Sequence, residues 1–145
     1  MGEMQRSLTR SEIIGSSVTA IHQQHRVSVD GLDQTSTFYT LNNGITLMLP
    51  LAHWEFEAVT IPPGAKELDP HDAEIARILN VPIKSIYVIR EEDGDIDPFS
   101  LLVELSSGDC FCDLTTAPHG LGWTGVRVLR HDEIDWKKYS DYWPA

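Results

Sequence analysis

The sequence predicts an α+β fold, in which a mostly antiparallel sheet of six to eight strands carries one or two helices on a face. Short runs of apolar and β-branched residues recur along the chain and are separated by Gly, Pro and Asn, which is typical of strands joined by turns. Only one segment, residues 68–82, shows helical spacing of its apolar residues. The 145 residues, 41% apolar and 23% charged, are expected to form a single domain over 1–145.

The first half of the chain predicts four strands after a frayed or helical segment at residues 1–15. The run SSVTAIHQQHRVSV is rich in β-branched residues and predicts the first strand. In TSTFYTLNNGITLMLP, two apolar runs flank Asn43 and Gly44. Both residues tolerate the positive φ of a type I′ turn, so we expect a β-hairpin here. The alternation in HWEFEAVTIPP predicts a further strand that ends at its two prolines.

The segment LDPHDAEIARILNVP predicts the main helix. Asp69 is the expected N-cap, because its side chain can accept hydrogen bonds from the free N–H groups of the first turn. The apolar stripe that would face the sheet consists of Ile75, Ile78 and Leu79. Asparagine and then proline follow this stripe and are expected to end the helix.

The second half of the chain predicts a central strand, a hairpin and a last strand. IKSIYVIRE is almost continuously apolar, which is typical of a central strand. PFSLLVELSSGDCFCDLTT predicts a hairpin that turns at Ser107 and Gly108. Its second strand places Cys110, Cys112 and Leu114 on one face, which we expect to point inward. GVRVLR predicts the last strand, and the aromatic tail DWKKYSDYWPA is expected either to contact a partner or to pin the tail to the body.

The charge of the chain is strongly negative and unevenly placed. There are 22 Asp and Glu against 11 Lys and Arg, for a net charge of -11. Residues 91–145 hold twelve acids and four bases, a net charge of -8. Nucleic acids and anionic membranes require basic surfaces, so we expect neither as a partner and expect a basic protein instead. The first residues lack the apolar stretch of a signal peptide and no run could span a bilayer, so we expect a cytoplasmic chain with reduced cysteines.

The segment EEDGDIDPFSLLVE concentrates five acids in seven residues: Glu91, Glu92, Asp93, Asp95 and Asp97. Its alternating carboxylates, with Glu104 at the twelfth position counted from Asp93, resemble an EF-hand calcium loop. That loop requires glycine at its sixth position, which here is Pro98, so we reject an EF-hand. Three interpretations stay open: a looser cation site, a docking surface for a basic protein, and a solvated connection between strands.

Cys110 and Cys112 suggest two chemical hypotheses that the sequence does not favour. With His119 they could be soft metal ligands, but C-x-C is not the usual zinc spacing and no fourth ligand is apparent. With His119 as base and Asp113 as orienting group, Cys110 could be a nucleophile, but strand alternation would point Asp113 away from it. We therefore expect both cysteines to be core residues, with no catalytic residue, no metal and no cofactor.

The run FSLLVELSSGDCFCDLTTAPHGLGWTGVRVL resembles small acidic bacterial immunity proteins, which accompany polymorphic or contact-dependent toxins. The resemblance lies in a hydrophobic strand ending in LSSG, a second strand running to APHGLGWTG, and a closing strand GVRVL. It implies a cytoplasmic, non-enzymatic inhibitor that binds a toxin domain, often a basic nuclease, and masks its active site.

The residues that we expect to bind such a partner combine acidic groups with one apolar anchor on a Gly-rich loop. Carboxylates can imitate phosphate and pair with Arg or Lys, and an exposed Trp is a common interface anchor. The set comprises Glu91, Glu92, Asp93, Asp95, Asp97 and Trp123. The alternative is a small enzyme or a metal-stabilised domain, for example with His53 beside Glu55 or Glu57. The strand order and the oligomeric state stay open.

Overall fold

The computed structural model describes residues 6–27, 33–49, 55–90, 92–95, 100–113 and 126–143. These residues form short strands and few helices, which confirms the predicted α+β class. In chain order the elements are β1 (Arg6–Ser7), α1 (Arg10–Ile13), β2 (Val18–Val27), β3 (Asp33–Leu41), β4 (Thr46–Leu49), β5 (Glu57–Ala58), β6 (Lys66–Glu67), α2 (Ala73–Ile78), β7 (Ile83–Val88), β8 (Leu102–Leu105), β9 (Asp109–Asp113), β10 (Val126–Arg130), two 3-10 helices (His131–Glu133 and Trp136–Lys138) and β11 (Ser140–Asp141).

The strands of the described residues belong to three antiparallel sheets. One sheet has the order β10-β9-β8-β7-β11, a second has the order β4-β3-β2-β6, and β1 pairs with β5. In the second sheet, β2 and β3 form a long ribbon that begins with Val18 opposite Leu41 and ends with Val27 opposite Asp33. In the first sheet, β11 returns from the tail to pair with β7. The mostly antiparallel pairing that the sequence predicts is confirmed.

Both predicted hairpins are present, and each turns at the predicted glycine. The first loop closes with Leu41 N–H donating to Ile45 O at 2.7 Å and Gly44 N–H donating to Leu41 O at 3.0 Å. Gly44 has φ 88°, but Asn80 is the only described non-glycine residue with positive φ. The type I′ prediction for Asn43 is therefore wrong. The loop has three residues with glycine last, a common hairpin type. Asn43 instead uses its side chain, whose Oδ1 accepts from Ile45 N–H at 3.0 Å.

Helix α2 begins three residues later than Asp69 would place it. Its N-cap is Asp72, whose Oδ1 accepts from Glu74 N–H at 3.0 Å and from Ile75 N–H at 3.2 Å. Asp69 instead caps the turn before the helix, where it accepts from His71 N–H at 2.9 Å. The expected N-cap is corrected accordingly, while the apolar face is as predicted, since Ile75 and Ile78 are buried.

The two larger sheets share one hydrophobic core. Tyr39 on β3 stacks on Phe111 on β9, with ring centroids 5.3 Å apart. The Tyr39 hydroxyl also donates to Asp113 Oδ2 at 3.1 Å. Aromatic pairs of this kind add about 1 kcal/mol to the burial of their apolar area. Strands β3 and β9 therefore fix the position of one sheet against the other.

The faces of β9 are the reverse of the prediction. Phe111 belongs to the shared core and Asp113 reaches Tyr39 in it, so Cys110 and Cys112 lie on the opposite face. Cys110 is nevertheless fully buried, because the segment that follows β10 covers that face. Leu114, predicted on the cysteine face, lies outside the described residues. Strand alternation is respected, but apolar character alone does not show which face is innermost, since both are covered.

Candidate functional site

The acidic turn, residues 92–95, lies between β7 and β8 and is exposed to solvent along its whole length. Gly94 has φ 91°, which lets the chain reverse direction there. Asp93 Oδ1 accepts a hydrogen bond from Asp95 N–H at 3.0 Å, as in an Asx turn. Glu92, Asp93 and Asp95 therefore lie on an exposed connection between strands. Glu91 and Asp97 lie outside the described residues.

Arg90 fastens the acidic turn to the tail of the chain. Its guanidinium donates to Gly94 O at 3.3 Å, to Asp141 O at 3.4 Å and to Tyr142 O at 3.5 Å. The base of the loop is closed by Ile89 N–H, which donates to Ser100 Oγ at 2.8 Å. The acids of the turn therefore lie on a supported loop. Arg90 bonds to the backbone of the turn and of the tail, and Ser100 bonds to the base of the loop.

A groove of about 720 Å³ adjoins the acidic turn. A volume of this size is typical of a binding site. The groove lies between the segments next to β1 and β5, the acidic turn and the tail of the chain. It is lined by Leu8, Glu55, Arg90, Gly94, Asp95, Tyr142 and Trp143.

The aromatic wall of the groove is packed against the core. Trp143 stacks on Phe56 with ring centroids 5.6 Å apart, and Tyr142 meets the same Phe56 ring edge-on at 5.0 Å. Phe56 itself is buried. Of the two roles considered for the tail aromatics, pinning of the tail is therefore observed for this pair. Their packing also leaves both rings lining the groove in a fixed orientation.

Among the described residues that line the groove, two carboxylates and one guanidinium carry charge. Glu55 is exposed, and its Oε1 accepts from Ser7 Oγ–H at 2.7 Å. Asp95 contributes the second carboxylate and Arg90 the positive charge. Burial raises the pKa of Tyr142, and the charge of Glu55 raises it further, so its hydroxyl stays neutral near pH 7. The described lining of the groove therefore has a net negative charge, with further acids close by on the turn.

A second polar cluster covers the other face of the five-stranded sheet. Glu104 on β8 is only 3% exposed. It accepts from the Tyr87 hydroxyl at 2.9 Å, and its Oε2 lies 3.4 Å from His131 Nε2. Trp136 packs on the His131 ring at a centroid distance of 4.6 Å. The sequence analysis considered Glu104 only as a calcium ligand, although an acid inside LLVEL, where both strand faces are apolar, could have indicated a buried carboxylate.

The environments of the cysteines disfavour the chemistry considered for them. Burial raises the pKa of Cys110 to about 12, and the charge of Glu104 adds to the effect. Burial also raises the pKa of Cys112, followed by the charge of Asp113. The raised pKa values favour the protonated thiols, whereas a nucleophilic cysteine reacts as the thiolate. His119 lies outside the described residues. Among those described, no three His, Cys, Asp or Glu side chains form a group that could hold a metal.

Two further residues of the sequence prediction lie outside the described residues. Trp123, the expected apolar anchor, and His53 both lie beyond the described ranges.

None of the helices in the described residues is long and apolar enough to cross a membrane. Comparison with known proteins finds no matching family model, no similar curated protein and no similar solved structure.

Proposed function

We propose that this chain is a non-enzymatic, protein-binding inhibitor, an immunity protein that acts in the bacterial cytoplasm on a basic toxin domain. The observation that carries the proposal is the exposed acidic turn, held by Arg90 beside a groove with a negative charge. Glu92, Asp93 and Asp95 form no salt bridge with another described residue. Their charge is therefore available to a cationic partner.

The electrostatics favour fast association with such a partner. The net charge of -11 attracts a basic protein over a distance, and the net charge of -8 in residues 91–145 concentrates the attraction near the turn. Charge complementarity of this kind raises association rates and makes them depend on salt. Because the turn is already fixed, little conformational entropy is lost when the partner binds.

The first test is to find the partner. The chain is co-expressed with the product of the neighbouring reading frame in its genome, a tag is placed on this chain alone, and the eluate is measured by native mass spectrometry. A stoichiometric complex that dissociates more readily at high salt is expected. Elution of the chain without that product contradicts the proposal for this pair.

The second test measures association rates by stopped flow for two variants with equal charge changes. In the first, Glu92, Asp93 and Asp95 are replaced by Lys, and the association rate should fall at least about tenfold at low salt. The control replaces three exposed acids outside the turn and groove, namely Glu67, Asp132 and Asp135. Equal losses in the two variants would show that only the total charge matters and would remove the turn as the docking site.

A further inference from the structure

We infer that the groove beside the acidic turn binds an arginine side chain of the basic partner, placed between its carboxylates and Trp143. The inference rests on the proposed function for the source of that side chain, but it concerns the groove and can be tested alone. It specifies the chemistry of the contact: a planar cation with an aromatic wall on one side and carboxylates on the other.

The aromatic wall is suited to a planar cation. Trp143 is supported by Phe56, which stacks on it with an interplanar angle of 23°, and Tyr142 meets Trp143 edge-on with centroids 4.6 Å apart. A supported indole loses little freedom when a ligand stacks on it. Tryptophan is also the best aromatic partner for a cation, and guanidinium stacks on aromatic faces more readily than ammonium does.

The carboxylates supply the matching charge. The bond from Ser7 orients one oxygen of Glu55 and leaves its second oxygen outside that bond. Asp95 lines the groove, and it donates to Asp93 through its backbone N–H, so its carboxylate is not the group that holds the turn. Carboxylates pair with guanidinium through two parallel hydrogen bonds, which single ammonium groups cannot form.

Among the described residues that line the groove, Arg90 is the one cation, and it does not cancel this preference. Its N–H groups are directed at the carbonyl oxygens of Gly94, Asp141 and Tyr142. These N–H groups therefore donate to backbone carbonyls around the groove rather than to Glu55 or Asp95. Two carboxylates against one guanidinium leave an excess negative charge, which the neighbouring Glu92 and Asp93 increase.

The test uses a small probe in place of the unidentified partner. The full chain, labelled with ¹⁵N, is titrated with the tripeptide acetyl-Gly-Arg-Gly-amide, and the Trp143 indole N–H signal is followed by NMR. The control peptide contains citrulline, which has nearly the same shape as arginine without its charge. The arginine peptide should move the Trp143 signal and bind at least about tenfold more tightly than the citrulline peptide. A lysine peptide should bind with an intermediate affinity.

Matched variants locate the contact. Asp95→Asn and Glu55→Gln should each weaken binding of the arginine peptide about threefold to tenfold. Asp132→Asn, which removes an exposed acid outside the groove, should leave binding unchanged. Equal binding of the arginine and citrulline peptides, or a response that leaves the Trp143 signal unmoved, overturns the inference. So does an Asp95→Asn variant that binds as the parent does.

The two proposals fail in different ways. If the charge-reversed variant no longer binds the partner and the arginine peptide does not bind in the groove, the inference is wrong and the proposed function stands. If the peptide binds in the groove but the chain never retains a basic protein, the groove contact is established and the proposed function is the part that fails.

Discussion

Oε2 of Glu104 lies 3.4 Å from Nε2 of His131, although Glu104 is almost fully buried and the His131 side chain is 59% exposed. The carboxylate comes from the middle of the five-stranded sheet and the imidazole from the 3-10 helix that follows β10. A buried carboxylate is stable only with hydrogen-bond donors around it. The Tyr87 hydroxyl provides one, and the imidazole of His131 lies within ion-pair distance, so the cluster attaches the segment after β10 to the outer face of the sheet.

This relationship predicts that removal of Glu104 destabilises the fold. Glu104→Ala should lower the free energy of unfolding by about 2 kcal/mol, because the partly buried Tyr87 hydroxyl loses a charged acceptor. Glu104→Gln retains an acceptor and most of the volume, so it should cost less. Urea unfolding followed by circular dichroism gives both values. A smaller loss for the alanine variant than for the glutamine variant would contradict this account of the cluster.

The raised pKa of Cys110 predicts a loss of stability in alkali. Below the usual thiol value of 9.0, both the folded and the unfolded chain keep the proton. Between 9.0 and about 12, the unfolded chain releases it while the folded chain does not, so stability falls as the pH rises. Burial, followed by the charge of Asp113, also raises the pKa of Tyr39 and gives a change of the same sign.

The contribution of the thiol can be separated by substitution. Urea unfolding of the parent chain and of Cys110→Ala is measured at a series of pH values from 7 to 11. The slope against pH above about 9 should be shallower in the variant, whatever its absolute stability. Parallel slopes would mean that Cys110 does not titrate differently in the two states.

The same burial predicts low reactivity of the thiols in the folded chain. Iodoacetamide alkylates thiolates, so Cys110 should be labelled far more slowly in buffer than in concentrated urea. Cys112, which is only partly buried, should react sooner than Cys110. Mass spectrometry of the digested protein measures labelling at each site. Rapid labelling of Cys110 in the folded chain would reopen the hypothesis that it is a nucleophile.

The hydrogen bonds of Arg90 predict that its loss loosens the turn and the tail together. In Arg90→Ala, amide hydrogen exchange should become faster at residues 92–95 and 139–143, since both rely on the same guanidinium. The free energy of unfolding should fall by about 1 kcal/mol. Arg127→Ala, at an exposed position on β10, is the matched control. Faster exchange in only one of the two segments would show that Arg90 does not couple them.

The predictions that the structure confirms concern features that the local sequence decides. Gly44 and Gly108 both have positive φ, and each lies at the turn of a predicted hairpin. The apolar spacing locates the helix but not its start, because Asp69 and Asp72 are both good N-caps in sequence. Local patterns therefore locate elements better than they locate their ends.

The parts that failed depend on contacts between distant residues. An alternating strand has two faces, and on β9 both are covered, so apolar character alone could not show that Phe111 faces the shared core. The acidic turn could be predicted because its residues are consecutive. The groove beside it could not, because Leu8, Arg90 and Trp143 come from separate parts of the chain and meet only after folding.

The composition of the groove also determines when during synthesis it can exist. Its wall needs Trp143, so every nascent chain in which that residue is still inside the ribosome lacks the site, even if both large sheets have begun to form. At about 5–20 residues per second, translation of the chain takes on the order of ten seconds. An arginine-bearing partner made at the same time would meet no groove during that interval. Proteolysis that removed Tyr142 and Trp143 would abolish the groove in the same way and leave most of the β-strands behind.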